Sequence, residues 1–219
     1  MTPEERLERI GKIDIYPVTC EELSEGRLNV QVLDAVLAGG AKIVQLREKH
    51  WAKRALYEVA LVFRERTRRE DALLIINDHV DVALAAGADG VHLGQGDLPV
   101  NAARRIAPGL IIGASTHNLE EAVRAEQDGA DYVNIGPIFP TATKENAERF
   151  LGLQAIQEIG PRLNIPFTVM GGINPGNIRQ VRDAGAHRVA MITGITRAPD
   201  ICSRVREMRS ILSERTDAT

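Results

Sequence analysis

The residues that could do chemistry in this 219-residue chain come in short groups, each placed just after a run of apolar residues. The first group is Gln45-Leu46-Arg47-Glu48-Lys49. In extended chain Gln45, Arg47 and Lys49 point the same way. An arginine fork beside an ammonium suits a diphosphate, which offers several anionic oxygens; the plainer reading is a charged strand end balanced by Glu48. Asp78 and Asp97 follow the third and fourth apolar runs. Two carboxylates from adjacent strand ends can share one hard cation, with water and phosphate oxygens completing its shell, as Mg²⁺ prefers. Each also reads as a helix cap, since Asp78 precedes a helical stretch and Asp97 stands before Leu98-Pro99, where proline would open a helix.

Later groups point to anions as well. In Gly136-Pro137-Ile138-Phe139-Pro140-Thr141-Ala142-Thr143-Lys144 the prolines stiffen a loop, the two hydroxyls suit phosphate oxygens, and Lys144 adds a point charge. Gly171-Gly172 and Thr193-Gly194 come after the last two apolar runs, where backbone N–H groups can approach a phosphate closely. His92 lies inside an apolar run and reads as a hydrogen-bonded interior histidine rather than a catalyst. The run Arg64-Glu65-Arg66-Thr67-Arg68-Arg69-Glu70 reads as a solvated helix end.

The elements that must position these groups are regular. Apolar runs recur at Ile13–Val18, Ile43–Leu46, Leu73–Ile76, Val91–Leu93, Leu110–Ile112, Tyr132–Ile135, Phe167–Met170 and Val189–Ile192, with helical spacing between them. Strand and helix in alternation imply a parallel sheet. Four crossovers end alike, at Gly40-Ala41, Gly87-Ala88, Gly129-Ala130 and Gly185-Ala186, where a left-handed glycine stops the helix. An open sheet gathers its ligand at one switch point. Here nearly every strand end carries a polar or glycine-rich group, and these converge only if the sheet closes. The expectation is one (β/α)₈ TIM barrel over 1–219, with a short helix at about 3–10 before the first strand and the site at the C-terminal mouth.

Composition bounds the partners. The formal net charge of −3 gives no basic surface for nucleic acid or anionic membrane. No stretch approaches the ~18 uninterrupted apolar residues of a membrane span. Cys20 and Cys202 match no metal-ligand spacing and read as free thiols in a reducing, cytoplasmic setting. Small phosphorylated molecules remain as the expected partners, with a homo-oligomer possible.

Five runs taken together, Val44–Lys49, Ile76-Asn77-Asp78, Gly90–Asp97, Gly136–Lys144 and Gly171-Gly172-Ile173, closely resemble the thiamine-phosphate synthase family, in order from about Tyr16 to Ile195. The resemblance implies a transferase in thiamine biosynthesis. It would couple 4-amino-2-methyl-5-pyrimidinylmethyl diphosphate with 4-methyl-5-hydroxyethylthiazole phosphate, or its carboxylated tautomer, giving thiamine phosphate and pyrophosphate. By similarity, Gln45, Leu46, Arg47, Glu48, Lys49, Asn77, Ser115 and Lys144 would hold the pyrimidine diphosphate, with Arg47, Lys49 and Lys144 catalytic. Asp78 and Asp97 would bind Mg²⁺, and Thr141, Ala142, Thr143, Gly172, Ile192 and Thr193 would hold the thiazole phosphate. The chain departs from the family's usual residues at His79, Thr193, Cys20 and Met170. Two rival readings are a thiazole tautomerase-like relative and a non-catalytic barrel that senses thiamine precursors. Neither needs metal–diphosphate machinery, and retention of Arg47, Lys49, Asp78, Asp97 and Lys144 favours the synthase.

Overall fold

A computed structural model describes residues 2–141 and 150–214. Strands β1 (Ile15–Thr19), β2 (Ile43–Leu46), β3 (Leu73–Asn77), β4 (Gly90–Leu93), β5 (Ile111–Thr116), β6 (Tyr132–Ile135), β7 (Phe167–Val169) and β8 (Val189–Met191) run parallel in chain order. The sheet closes where β1 pairs with β8, Tyr16 against Ala190. The eight apolar runs correspond to these eight strands, and the polar groups among the described residues sit at one mouth. Several bounds shift by one or two residues, and β5 shifts furthest from its reading: it continues to Thr116, so Ser115 and Thr116 lie within it. Its second half, Gly113-Ala114-Ser115, has no apolar run because the inside of the barrel there is filled from β6. An added Cβ at Gly113 would sit 2.1 Å from Cζ of Tyr132.

Helix α1 (Pro3–Gly11) precedes the barrel, opened by a Thr2/Glu5 capping box. The crossovers carry α2 (Asn29–Ala38), α3 (Lys53–Arg69), α4 (Val80–Ala85), α5 (Val100–Ile106), α6 (Leu119–Gln127), α7 (Gln154–Ile159) and α8 (Ile178–Asp183). After β8 come α9 (Thr193–Thr196) and α10 (Ile201–Ser213), whose apolar face packs on the barrel through Val205 and Met208. Among the described residues no helix is long and apolar enough to cross a membrane. The buried Cys20 and half-buried Cys202 are free thiols.

The base of the barrel is built by repetition. Four helices end in the same Schellman pattern, with glycine left-handed and the following alanine N–H bonded five residues back: Ala41 to Val36, Ala88 to Ala83, Ala130 to Ala125 and Ala186 to Val181. The turn before β3 does the same with Asp71-Ala72, Ala72 N–H reaching Thr67. Two partly buried ion pairs brace this rim. Arg64 of α3 meets Asp89 and Arg104 of α5 meets Asp131, each at 2.5 Å. Each carboxylate also accepts a backbone N–H of the preceding strand, Leu74 in β3 and Ile112 in β5. The solvated reading of the 64–70 run is corrected at Arg64, which is buried because α3 turns it towards Asp89.

The core has two layers. Between barrel and helices, Leu74, Val91 and Ile112 of the strands share a core with Leu33 of α2 and Phe63 of α3. Inside, Ile43, Leu73, Ile75 and Ile111 form an apolar floor with Ile10 of α1, so α1 plugs the base. Above that floor the interior turns polar. Gln45, Tyr16, Tyr132 and His92 occupy the next layer, all buried.

Candidate active site

The polar interior opens into a cavity of about 460 Å³ at the C-terminal mouth, a volume suited to a small ligand pair. Its walls come from the ends of all eight strands and the loops that follow them.

One wall is cationic. Gln45, Arg47 and Lys49 all line the cavity, because the alternation of an extended chain turns every second residue inward. The residues between them face away. Leu46 is fully buried among the side chains under the helices. Glu48 is turned to the first crossover, where Oε1 accepts from the Glu21 backbone N–H and the Asn29 side-chain amide, both at 2.7 Å. The side chains of Leu46 and Glu48 are therefore not part of the cavity wall, and Glu48 forms no ion pair with Arg47 or Lys49. Among the described residues neither Arg47 nor Lys49 forms an ion pair.

Beside this wall stand two carboxylates. Asp78 has a left-handed backbone, φ 62°, which sends its side chain into the cavity. Aspartate tolerates that region better than most residues. The turn is held by Asp78 N–H to the His92 carbonyl at 2.8 Å and by His79 N–H to the Asn77 carbonyl at 2.7 Å. The N-cap of α4 is His79, so Asp78 caps nothing. Asp97 closes its own turn instead, Oδ2 accepting the Gly94 N–H at 2.7 Å, and Pro99 is the N-cap of α5. Burial, then contact with the like-charged Asp97, pushes the Asp78 carboxyl up to about 7, while Lys49 and Arg47 pull it down. Two carboxylates this close favour a shared proton or a shared cation. Among the described residues no three metal-binding side chains gather. A cation held here would take its remaining ligands from water and phosphate, which is the habit of Mg²⁺.

The opposite wall is made of backbone turns. Gly136-Pro137 is a cis peptide. Beyond it Ile138 and Phe139 donate to the Met170 and Gly171 carbonyls, extending the sheet past β6 and β7. Gly172 is left-handed, and a Cβ there would lie 2.5 Å from the Pro140 carbonyl oxygen. Its own carbonyl accepts from the side chains of Asn177 and Asn174. Thr141, Gly172, Ile192 and Thr193 line the cavity, as do Asn77 and Ser115. Ala142, Thr143 and Lys144 lie outside the described residues.

Residues 15–195 match the family model described as thiamine monophosphate synthase. The chain belongs to that family. A thiamine-phosphate synthase of Chloroflexus aurantiacus is 45% identical over 199 residues, covering 91% of this chain and 92% of that protein. One from Pyrococcus furiosus is 42% identical over 204 residues, covering 93% and 97%. The solved thiamine phosphate pyrophosphorylase from Pyrococcus furiosus superposes with a TM-score of 0.86 at 40% identity, over 93% of this chain and 96% of that one. A 3-hexulose-6-phosphate synthase, at 19% identity and a TM-score of 0.66, shares the fold.

Outside the runs that mark the thiamine monophosphate synthase family, the cavity also includes Tyr16 and Asn134, to which the sequence reading gave no role. His92 is the hydrogen-bonded interior histidine expected, and it also reaches the cavity. Tyr16, His92 and Asn134 share a sequence signal. Each is a polar residue at an inward position of a buried strand, which a barrel interior leaves polar only near its mouth. Burial holds the His92 imidazole down at about 4, so at neutral pH it is uncharged.

Proposed function

We propose that this chain couples 4-amino-2-methyl-5-pyrimidinylmethyl diphosphate with 4-methyl-5-hydroxyethylthiazole phosphate, releasing pyrophosphate and forming thiamine phosphate. One observation carries the reading: Arg47, Lys49, Asp78 and Asp97 share a single cavity with the Gly171-Gly172 and Thr193-Gly194 turns. A ligand with two phosphates and one with a single phosphate thus find separate anion-binding walls facing each other. Family membership, with relatives matched along nearly their whole length, supports the same chemistry.

Arg47 and Lys49 receive the diphosphate and stabilise the charge that grows on it as the carbon–oxygen bond breaks. Mg²⁺ held by Asp78 and Asp97 would supply further neutralisation of that leaving group. Lys144 is assigned to the same task by family resemblance. Gln45, Asn77 and Ser115 orient the pyrimidine. Thr141, Gly172, Ile192 and Thr193 hold the thiazole phosphate so that the thiazole nitrogen faces the methylene carbon. That nitrogen carries no proton to remove, so a strong base is unnecessary. The site agrees: His92 is neutral and both ring nitrogens are engaged, Nδ1 with Tyr132 and Nε2 with Ser115. The two free thiols fit a reducing, cytoplasmic setting.

The test is incubation with both substrates and Mg²⁺, following pyrophosphate and thiamine phosphate together. The two should appear one for one and only when both substrates are present. Pyrophosphate without thiamine phosphate, or neither product, would overturn the assignment, and full activity with chelator would remove the metal from it.

A further inference from the structure

Two arginines that do not line the cavity hold the segment after β8, where the Thr193-Gly194 turn lies. Arg204 of α10 donates from Nη1 to the Gly194 carbonyl at 2.8 Å and pairs through Nε with Glu207 at 3.0 Å. Arg27, in the crossover from β1 to α2, donates from Nη1 to the Thr196 carbonyl at 2.9 Å and from Nη2 to the Ala198 carbonyl at 3.1 Å. Thr196 answers with its hydroxyl, which donates to the Leu23 carbonyl at 2.8 Å. The crossover and the end of α9 are thus stitched in both directions, across 169 residues of sequence. Glu207 matches the charge of Arg204, whereas among the described residues Arg27 forms no ion pair and has backbone carbonyls as its partners.

The local chain delivers this side chain through a tight turn. After a 3₁₀ turn at Glu21–Leu23, Glu25 and Gly26 are both left-handed, with φ of 53° and 80°, and the Arg27 N–H bonds the Ser24 carbonyl at 3.1 Å. That is the pattern of a type I′ turn, which suits glycine and which glutamate seldom enters. The helical turn it reaches cannot keep its own place. α9 is four residues long, far below the ~12 residues at which an isolated helix becomes even marginal. Its Ile195 and Thr196 N–H groups share one acceptor, the Ile192 carbonyl, at 2.9 and 2.8 Å. The closing carbonyls of a helix have no partner further along it and must find one outside, and a cation is favoured at that end. There is little slack where α9 meets the loop after β7: a Cβ at Gly194 would lie 2.6 Å from the Ile173 carbonyl oxygen.

We propose that Arg27 is a positioning residue for the monophosphate wall: by clamping the end of α9 it fixes the Thr193-Gly194 turn, and so sets the affinity for the thiazole phosphate from outside the cavity. The physical reason is directional. A hydrogen bond to a phosphate oxygen weakens steeply once its N–H points away, and small errors in the placement of binding groups are costly. A one-turn helix released at its far end is free to tilt, and the groups at its near end tilt with it. The choice of thiazole phosphate as the ligand rests on the functional reading above; the clamp rests on the hydrogen bonds alone.

Two measurements test it, on the full chain and on Arg27→Met, which keeps the stem and removes the fork. The first is amide hydrogen exchange without ligand. Exchange at Ile195, Thr196 and Ala198 should quicken by about tenfold or more in the variant, while amides of β3 keep their parent rates. Unchanged exchange at those three positions would overturn the clamp, whether or not the enzyme is active. The second is steady-state kinetics. KM for the thiazole phosphate should rise by about tenfold, a loss within the range of hydrogen bonds from a charged group. KM for the pyrimidine diphosphate and kcat should stay within about twofold of the parent, as when binding alone is lost. Thr196→Val cuts the stitch from its other side without changing shape, and should raise the same KM by about threefold; it serves where Arg27→Met does not fold. A thiazole phosphate KM that does not move, or equal rises in both KM values, would overturn the positioning role. A parent that does not turn over the thiazole phosphate would overturn the functional reading and the naming of the ligand, with the exchange comparison still deciding the clamp.

Discussion

At the base of the barrel Arg64 meets Asp89 and Arg104 meets Asp131, and each carboxylate also takes a strand N–H. At the mouth Arg47 and Lys49 stand near Asp78 and Asp97, yet the carboxylates crowd each other, and neither cation forms an ion pair among the described residues. The residue types are the same and the arrangements opposite. Charges at the base are matched within the protein, whereas those at the mouth are sorted by sign and left for ligands to match. Glycines divide in the same way. At the base the left-handed Gly185 ends its helix in open space; at the mouth Gly172 is left-handed and pressed against a neighbouring loop. The same side chains therefore serve stability at one rim and binding at the other, and substitutions should separate the two roles.

The largest separation is expected at Asp78. Asp78→Asn should lower turnover by about 10²-fold or more at saturating Mg²⁺, the loss typical when a charge-stabilising element is disabled. Its stability should move the other way. The folded carboxyl titrates at about 7, above its ordinary value, because of burial and Asp97, offset in part by Lys49 and Arg47. A raised carboxyl stabilises the fold while protonated, and that contribution is lost as pH rises through about 7. At pH 8 without metal the asparagine variant should thus melt no lower than its parent. A variant that is fully active, or one that melts well below its parent, would break the contrast between the rims.

The converse substitution is Arg104→Met at the base. It removes the Arg104 guanidinium from the buried Asp131 carboxylate, which should cost about 3 kcal/mol and lower Tm by roughly 6–12 °C. Turnover at a temperature where the variant is folded should stay within about twofold of the parent. Thermal melts beside initial rates check both halves. A large loss of turnover with no change in Tm would mean that the base reaches into the chemistry.

The sequence carries most of the mouth openly because Gln45, Arg47, Lys49, Asp78 and Asp97 sit where strands end, and the period of an extended chain turns them one way. It carries the base openly too, through the four glycine-alanine helix stops. What stayed hidden depends on partners far along the chain. Arg64 looks solvated in a run of charges until α3 is laid against Asp89, 25 residues on. Tyr16 and Tyr132 look like ordinary core residues until closure of the sheet brings their hydroxyls together from 116 residues apart. Glu48 lies between two cavity residues in sequence, yet only the fold of the first crossover reveals that Glu21 and Asn29 draw it away.

Smaller effects sharpen the comparison through glycine alone. Gly172→Ala adds a Cβ 2.5 Å from the Pro140 oxygen and 2.7 Å from the Phe139 Cβ, so the turn must shift. KM for the thiazole phosphate should rise by about tenfold, the scale of about 1.4 kcal/mol lost from one contact. Gly185→Ala meets nothing within 4 Å, and only its φ of 104° resists the side chain. The cost should be about 1–2 kcal/mol of left-handed backbone, a Tm lower by a few degrees, and KM and kcat unchanged. Because both positions are left-handed, the backbone penalty is common to the pair, and the difference between them isolates the close contact at the mouth. Equal changes in KM at both would mean that the Gly172 turn does not meet the ligand.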